Sequence, residues 1–126
     1  ANQAPAHAEL WADMSNTVET FFEDLREHQA SDNVLLFMFS EFGRRISDNG
    51  SGTDHGAGGV AFVVGERVKG GLYGEYPSLE PGKQEEGGNL RFNLDFRSLY
   101  STILEKWLGL DPVPVVGGNF ERLDFL

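Results

Sequence analysis

Val34-Leu35-Leu36-Phe37-Met38-Phe39 is apolar at every one of its six positions. A strand with one wet face alternates apolar and polar residues. An unbroken apolar run of this length predicts a strand covered on both faces, as in the middle of an α/β sheet. What surrounds it agrees. From Ala8 to about His28, Leu10, Trp11, Met14, Val18, Phe21, Phe22 and Leu25 recur at three- and four-residue steps, with Glu9, Asp13, Glu19, Glu23, Asp24 and Arg26 between them. That spacing predicts one amphipathic helix with a buried stripe, opening after Pro5 and ending before the polar stretch Gln29–Asn33. Helix, short loop and strand in that order place the chain in the α/β class.

Downstream, Ser40 to Gly59 holds glycine at 43, 50, 52, 56, 58 and 59, with Phe42 and Ile46 as its large apolar residues. It reads as a long loop. Val60-Ala61-Phe62-Val63-Val64 is a second apolar strand. A parallel neighbour needs a crossover, usually a helix, and the segment between the two strands has no helical stripe. The pair is therefore expected to be antiparallel or locally returning, which brings Glu41 near Asp54 and His55. Glu66 to Gly88 is loop-like, and Leu90, Phe92 and Leu94 alternate as a short strand would. Asp95 is a good N-cap for a helix with the stripe Leu99, Ile103, Leu104, Trp107 and Leu108, stopped by Gly109 and Pro112. A Gly117-Gly118 turn follows, then Phe120, Leu123, Phe125 and Leu126.

The 126 residues suit one domain, burying roughly two-thirds of the unfolded surface. So few strands make a thin unit, expected to be part of a larger α/β domain or to complete its sheet by homo-oligomerisation. Ten Lys and Arg stand against twenty Asp and Glu, a net charge of −10. With no basic stripe to neutralise phosphates, nucleic acid is excluded as a partner. No apolar run approaches the ~20 residues of a membrane helix, so no membrane partner is expected. Cysteine is absent, which removes disulfides, thiolate metal sites and cysteine nucleophiles. The sequence begins at Ala1 without a signal peptide, so either a leader was removed or the chain is a piece of a longer protein.

Chemistry concentrates in the glycine-rich segment, which carries Glu41, Arg44, Arg45, Asp48, Asp54 and His55. Glu41 lies just past the carboxyl end of the first strand, where open α/β sheets bind ligands. Imidazole and carboxylates suit zinc, manganese or iron. Arg44 and Arg45 can grip a phosphate, sulfate or carboxylate. The plain alternative is a surface loop with Glu41 paired to an arginine and His55 merely exposed. Other templates fail. Asp48–Thr53 opens like a calcium loop but has glycines at its third and fifth positions, and Gly59 where the bidentate Glu belongs. The sequence has no P-loop, nucleophile elbow or His-Glu-x-x-His. His7 reads as a surface residue and His28 as a favourable helix-end residue.

Ser40-Glu41-Phe42-Gly43-Arg44-Arg45, Asn49-Gly50-Ser51-Gly52-Thr53-Asp54-His55-Gly56 and Val68-Lys69-Gly70-Gly71 together resemble the domain-of-unknown-function family 1501. Asp95-Phe96-Arg97-Ser98-Leu99-Tyr100, Glu105-Lys106-Trp107-Leu108-Gly109 and Gly117-Gly118-Asn119-Phe120 continue the match in order. The family is similar to the alkaline phosphatase and sulfatase superfamily. The resemblance implies part of an α/β/α sandwich, a small mixed sheet flanked by helices. It covers the carboxyl-terminal portion of such a protein, just after an Asp-Thr-His segment that precedes the stretch resembling Ala1-Asn2-Gln3 and His7. It also implies a periplasmic or exported parent, a divalent metal (zinc, manganese or calcium) and a small-molecule or polymer ester as substrate.

The superfamily's late metal ligands are an Asp-His pair at a strand end and a later histidine before another strand. In one mapping Asp54-His55 is the pair itself. In the preferred mapping Glu41 holds the pair's place and His55 that of the later histidine, and Phe42 then stands where a ligand belongs. Under the resemblance Glu41, Asp54 and His55 bind metal and Arg44 or Arg45 steadies the substrate anion. The expected function is that of the carboxyl-terminal part of a metal-dependent phosphatase or sulfatase, inactive alone. The alternative is a non-catalytic exported binding or assembly module with a degraded metal site.

Overall fold

The computed structural model describes the backbone of residues 3–126 and side chains from residue 6 onward; Ala1 and Asn2, part of the stretch that carries the resemblance, lie outside the described residues. Helix α1 spans Gln3–Glu27. It starts before Pro5, because first-turn amides have no intrahelical acceptor and proline is tolerated there. The helix ends in a Schellman arrangement. The Ala30 amide donates to the Leu25 carbonyl at 2.8 Å and the Gln29 amide to Arg26 at 3.0 Å. Gln29 sits at the left-handed position with φ 54°, where glycine is usual.

Strand β1 is Leu36–Met38, and β4 is Phe62–Val64. They pair antiparallel, Leu36 with Val64, Phe37 with Val63 and Met38 with Phe62, as the missing crossover predicts. Opposed residues share a face. Phe62 and Val64 turn toward α1, where the Trp11 ring meets Phe62 edge-on at 5.4 Å and Val18 and Phe22 approach Val64. Phe37 turns the other way and meets Tyr100 edge-on at 5.6 Å. The result is α/β with a helix on each side of a two-stranded sheet. Both faces are contacted, yet the strand residues are only half-buried, because no further strands widen the sheet. The expected burial is thus only partial.

Ser40 to Gly59 is not a loop. It folds as a second antiparallel hairpin, β2 (Gly43–Asp48) with β3 (Thr53–Gly56). Asn49-Gly50-Ser51-Gly52 turns the chain. The Gly50 amide donates to the Asp48 carboxylate at 2.5 Å and the Ser51 amide to the Asn49 side chain at 3.0 Å. Gly43 is where the hairpin meets the segment entering β4. A Cβ built on Gly43 would lie 1.6 Å from the Gly58 carbonyl oxygen.

Leu90, Phe92 and Leu94 form no strand. Asn93 takes the part of a ladder neighbour instead: its side chain accepts from the Glu75 amide at 3.2 Å and donates back to the Glu75 carbonyl. Helix α2, Phe96–Thr102, starts as predicted at Asp95, whose carboxylate accepts from the Arg97 amide at 2.9 Å. The Arg97 guanidinium beside it holds the Asp95 carboxyl below the usual carboxylate range. From Ile103 to Trp107 the helix widens to π geometry, with the Leu108 amide reaching back five residues to Ile103. That extra residue shifts the helix phase. The predicted stripe of Leu99, Ile103, Leu104 and Trp107 is half-buried and Leu108 is exposed, while Ser98, Ser101 and Thr102 are buried.

Of these, Thr102 holds the carboxyl-terminal tail. The Thr102 hydroxyl donates to the Ser98 carbonyl at 2.7 Å and accepts from the Leu123 amide at 2.8 Å. Lys106 reaches the Leu123 and Leu126 carbonyls at 3.0 Å each, and Arg122 grips Glu105. A short helix α3, Val113–Val116, closes at Gly117 with φ 75°. Phe125, 2 % exposed, and Phe22, 4 % exposed, are the buried large apolar side chains among the described residues. Among those residues no helix is long and apolar enough to cross a membrane.

Two substitutions test this architecture by urea unfolding. Gly43→Ala should destabilise by about 2–3 kcal/mol, because the methyl collides with backbone that has no free rotor to move aside. Gln29→Gly should stabilise by about 0.5–1 kcal/mol, the relief of left-handed strain less the greater entropy of an unfolded glycine.

Candidate functional site

The β2–β3 hairpin carries Arg44, Arg45, Asp48, Asp54 and His55, and Glu41 stands just before it. Register sets Arg44 directly opposite His55, so their side chains share a face. Phe42, just before β2, lies flat on His55 with ring centroids 3.6 Å apart and planes 12° from parallel. The Arg44 guanidinium carbon lies 5.3 Å from the centre of the same Phe42 ring. The hairpin thus presents a layered group of guanidinium, phenyl and imidazole. Phe42 covers one face of the imidazole, leaving its in-plane nitrogens as the polar handles.

Both arginines spend donors on backbone. Arg44 Nη1 donates to the Thr53 carbonyl at 2.8 Å. Arg45 Nε donates to the His55 carbonyl at 3.2 Å and Arg45 Nη1 to Gly87 at 3.1 Å. Arg45 therefore ties the hairpin to the distant segment around Gly87. The pairing of Glu41 with Arg44 or Arg45 that belongs to the plain surface-loop alternative is not made among the described residues; Glu41 precedes β2 and is exposed, and the arginines bond carbonyls instead.

Strand geometry decides what the acidic residues can do together. Asp54 and His55 are consecutive in β3, so their side chains project to opposite faces of the hairpin. The Asp54 carboxylate accepts from Asn49 Nδ2 at 2.7 Å, in the turn and away from the imidazole. Among the described residues, no group of three or more His, Asp and Glu stands close enough to hold a metal ion. The donors Glu41, Asp54 and His55 therefore do not fit a shared divalent ion in this arrangement. Elsewhere, His7 Nε2 accepts from Trp11 Nε1 at 2.6 Å, and His28 pairs with Asp24 at 3.5 Å near the end of α1. Both have local partners within the helix surface.

Sequence reasoning missed an apolar groove of about 450 Å³ between β1, α2 and α3, walled by Phe37, Phe96, Tyr100, Leu104 and Val115. Tyr100 meets Phe37, Phe39 and Phe96 edge-on, with centroids 5.6–6.2 Å apart. The signal was present in the spacing of Phe37, Phe39, Phe96 and Tyr100, but Phe37 and Phe39 lay in a run read as a buried strand, and Phe96 and Tyr100 fall outside the stripe read for the second helix.

A family model described as "Protein of unknown function (DUF1501)" matches residues 1–123. No curated protein and no solved structure matches the chain.

Arg45→Met should loosen the hairpin by about 1–2 kcal/mol, since it removes two charge-assisted bonds to carbonyls. Hydrogen exchange at the Ile46 amide, which faces the Gly88 carbonyl at 3.4 Å, should rise accordingly. Arg44→Met, with one carbonyl bond at a more exposed position, should raise it less.

Proposed function

Because the chain belongs to the DUF1501 family of proteins of unknown function, we propose from its surface that it is a non-catalytic binding or assembly module of an exported protein. It works by packing against polypeptide outside these 126 residues. One observation carries this reading. The chain exposes 8938 Å², whereas a compact monomer of 13.9 kDa exposes about 6,700 Å². The difference of about 2,200 Å² is of the size that one partner contributes to an obligate interface. Large apolar side chains contribute to the exposed area: Leu72 is 83 % and Tyr76 88 % exposed, and Phe39, Val60, Phe92 and Phe96 are all more than half exposed. Apolar surface on this scale marks interaction sites.

The second reading is the carboxyl-terminal part of a metal-dependent phosphatase- or sulfatase-like hydrolase acting on a small or polymeric ester. Zinc, manganese or calcium would be held by Glu41, Asp54 and His55, and the substrate anion by Arg44 or Arg45. The observation in its favour is the cross-strand register of Arg44 and His55, which puts a cationic residue and a histidine on one face of the hairpin. Against it stands the divergence of Asp54 and His55, so no step is routed through a metal.

Elemental analysis after equilibration with Mn²⁺, Zn²⁺ or Ca²⁺ separates the two. The module reading expects metal well below one ion per chain and unchanged in His55→Ala, with no phosphatase or sulfatase turnover. One tightly held ion per chain that His55→Ala loses would replace the module with the hydrolase.

A further inference from the structure

Helix α1 narrows the kind of polypeptide that the module takes. At 100° per residue its apolar side chains fill a sector about 120° wide, in the angular order Leu10, Phe21, Met14, Leu25, Val18, Trp11, Phe22. The far half of that sector is used inside the chain. Trp11 packs on Phe62, and Val18 and Phe22 line a cleft with Val64. The near half is the more open one, although Phe21 meets Phe22 edge-on at 5.6 Å and Trp11 in the far half is itself 42 % exposed. Leu10 is 64 % and Phe21 43 % exposed, and Met14 is half-buried between them. Thr17 completes the row. Its hydroxyl donates to the Asp13 carbonyl at 2.7 Å, which leaves its methyl for the surface.

Leu10, Met14, Thr17 and Phe21 are spaced four, three and four residues apart. This is the a/d alternation of a coiled-coil seam, about 16 Å long. Along its open border the same helical spacing sets Asp13, Asp24, Glu9 and Glu27, with Asp24 also touching His28. Arg26, the one Lys or Arg among the described residues of the helix, lies on the far side and is taken up by Glu66 at 2.6 Å.

We infer that this row docks a basic amphipathic helix, its apolar seam on Leu10, Met14, Thr17 and Phe21 and its lysines or arginines against Asp13, Glu27 and their acidic neighbours. The inference rests on the module reading above. A helix fits because a straight row at three- and four-residue steps accepts the ridges of another helix. Charge chooses the partner's sign. A second copy would bring −10 against −10 and an equally acidic border against this one, whereas a cationic helix is drawn to it.

The test is fluorescence anisotropy on the full chain, with a labelled four-heptad peptide of leucine at a and d and lysine elsewhere, beside its glutamate counterpart. The lysine peptide should bind and the glutamate peptide should not. Leu10→Ser with Phe21→Ser leaves the charge unchanged and should weaken binding at least tenfold. Asp13→Lys with Glu27→Lys should do the same, and Leu79→Ser, at an exposed apolar residue with no part in the proposed surface, should have no effect. Equal affinity for both peptides, or lysine-peptide affinity indifferent to the Leu10 and Phe21 changes, overturns the assignment to α1. If Leu72→Ser or Phe39→Ser weakens it instead, the module reading survives and the partner sits elsewhere. A dimer in sedimentation that the Leu10 and Phe21 changes split makes a second copy the occupant and also overturns the inference. Absence of peptide binding together with one His55-dependent metal ion per chain removes both readings.

Discussion

Apolar burial inside this chain is scarce, and most of its architecture is a response to that scarcity. Folding a domain costs on the order of 1–2 kcal/mol of backbone entropy per residue, normally offset by burying hydrophobic side chains. Here Phe22 and Phe125 are the large ones withdrawn from water among the described residues. Polar links carry more of the tertiary structure than usual. Thr102 joins α2 to the tail through one hydroxyl that both donates and accepts. Lys106 collects two terminal carbonyls, and Lys69 holds Asp124 at 2.8 Å, which keeps that exposed carboxyl below its usual range. Exposed ion pairs contribute little each, so these links fix geometry more than they add stability.

The same scarcity explains why close backbone contacts matter. Gly43 against the Gly58 carbonyl, and Gly58 against the Leu90 Cβ, let three chain segments touch because the glycines add no side chain of their own. That contact orients the hairpin, and the hairpin orients every residue proposed for chemistry. Its two-residue period then separates Asp54 from His55 while joining His55 to Arg44. Phe42, set immediately before Gly43, is delivered onto the imidazole face. A stack of arginine, phenylalanine and histidine on a wet hairpin is thus a consequence of where the glycine contact lies.

Elements with a strong apolar period were legible in the sequence. The amphipathic run from Leu10 to Leu25, the paired apolar runs around Phe37 and Val63, and the Asp95 cap each declare themselves through local chemistry. The β2–β3 hairpin did not. Its faces are largely exposed, so no apolar alternation marks it, and its glycines read as flexibility when several serve as points of contact. The π turn at Ile103–Trp107 was equally hidden, since one extra residue in a helical turn leaves no compositional trace. For the candidate site, the residue types were legible and the meeting of His55 with Arg44 follows once the register is known. The separation of Asp54 from His55 depends on recognising a strand where the sequence suggested a loop.

Net charge gives the exposed apolar surface its meaning. A chain with this much uncovered hydrophobic area tends to associate with its own copies, since the hydrophobic effect has no direction and does not select a partner. A charge of −10 opposes that encounter at long range, more strongly at low salt. The acidic border beside Leu10, Met14 and Phe21 places part of that repulsion next to the apolar row itself. Apolar contact supplies affinity there, and charge decides which surfaces come close enough to use it.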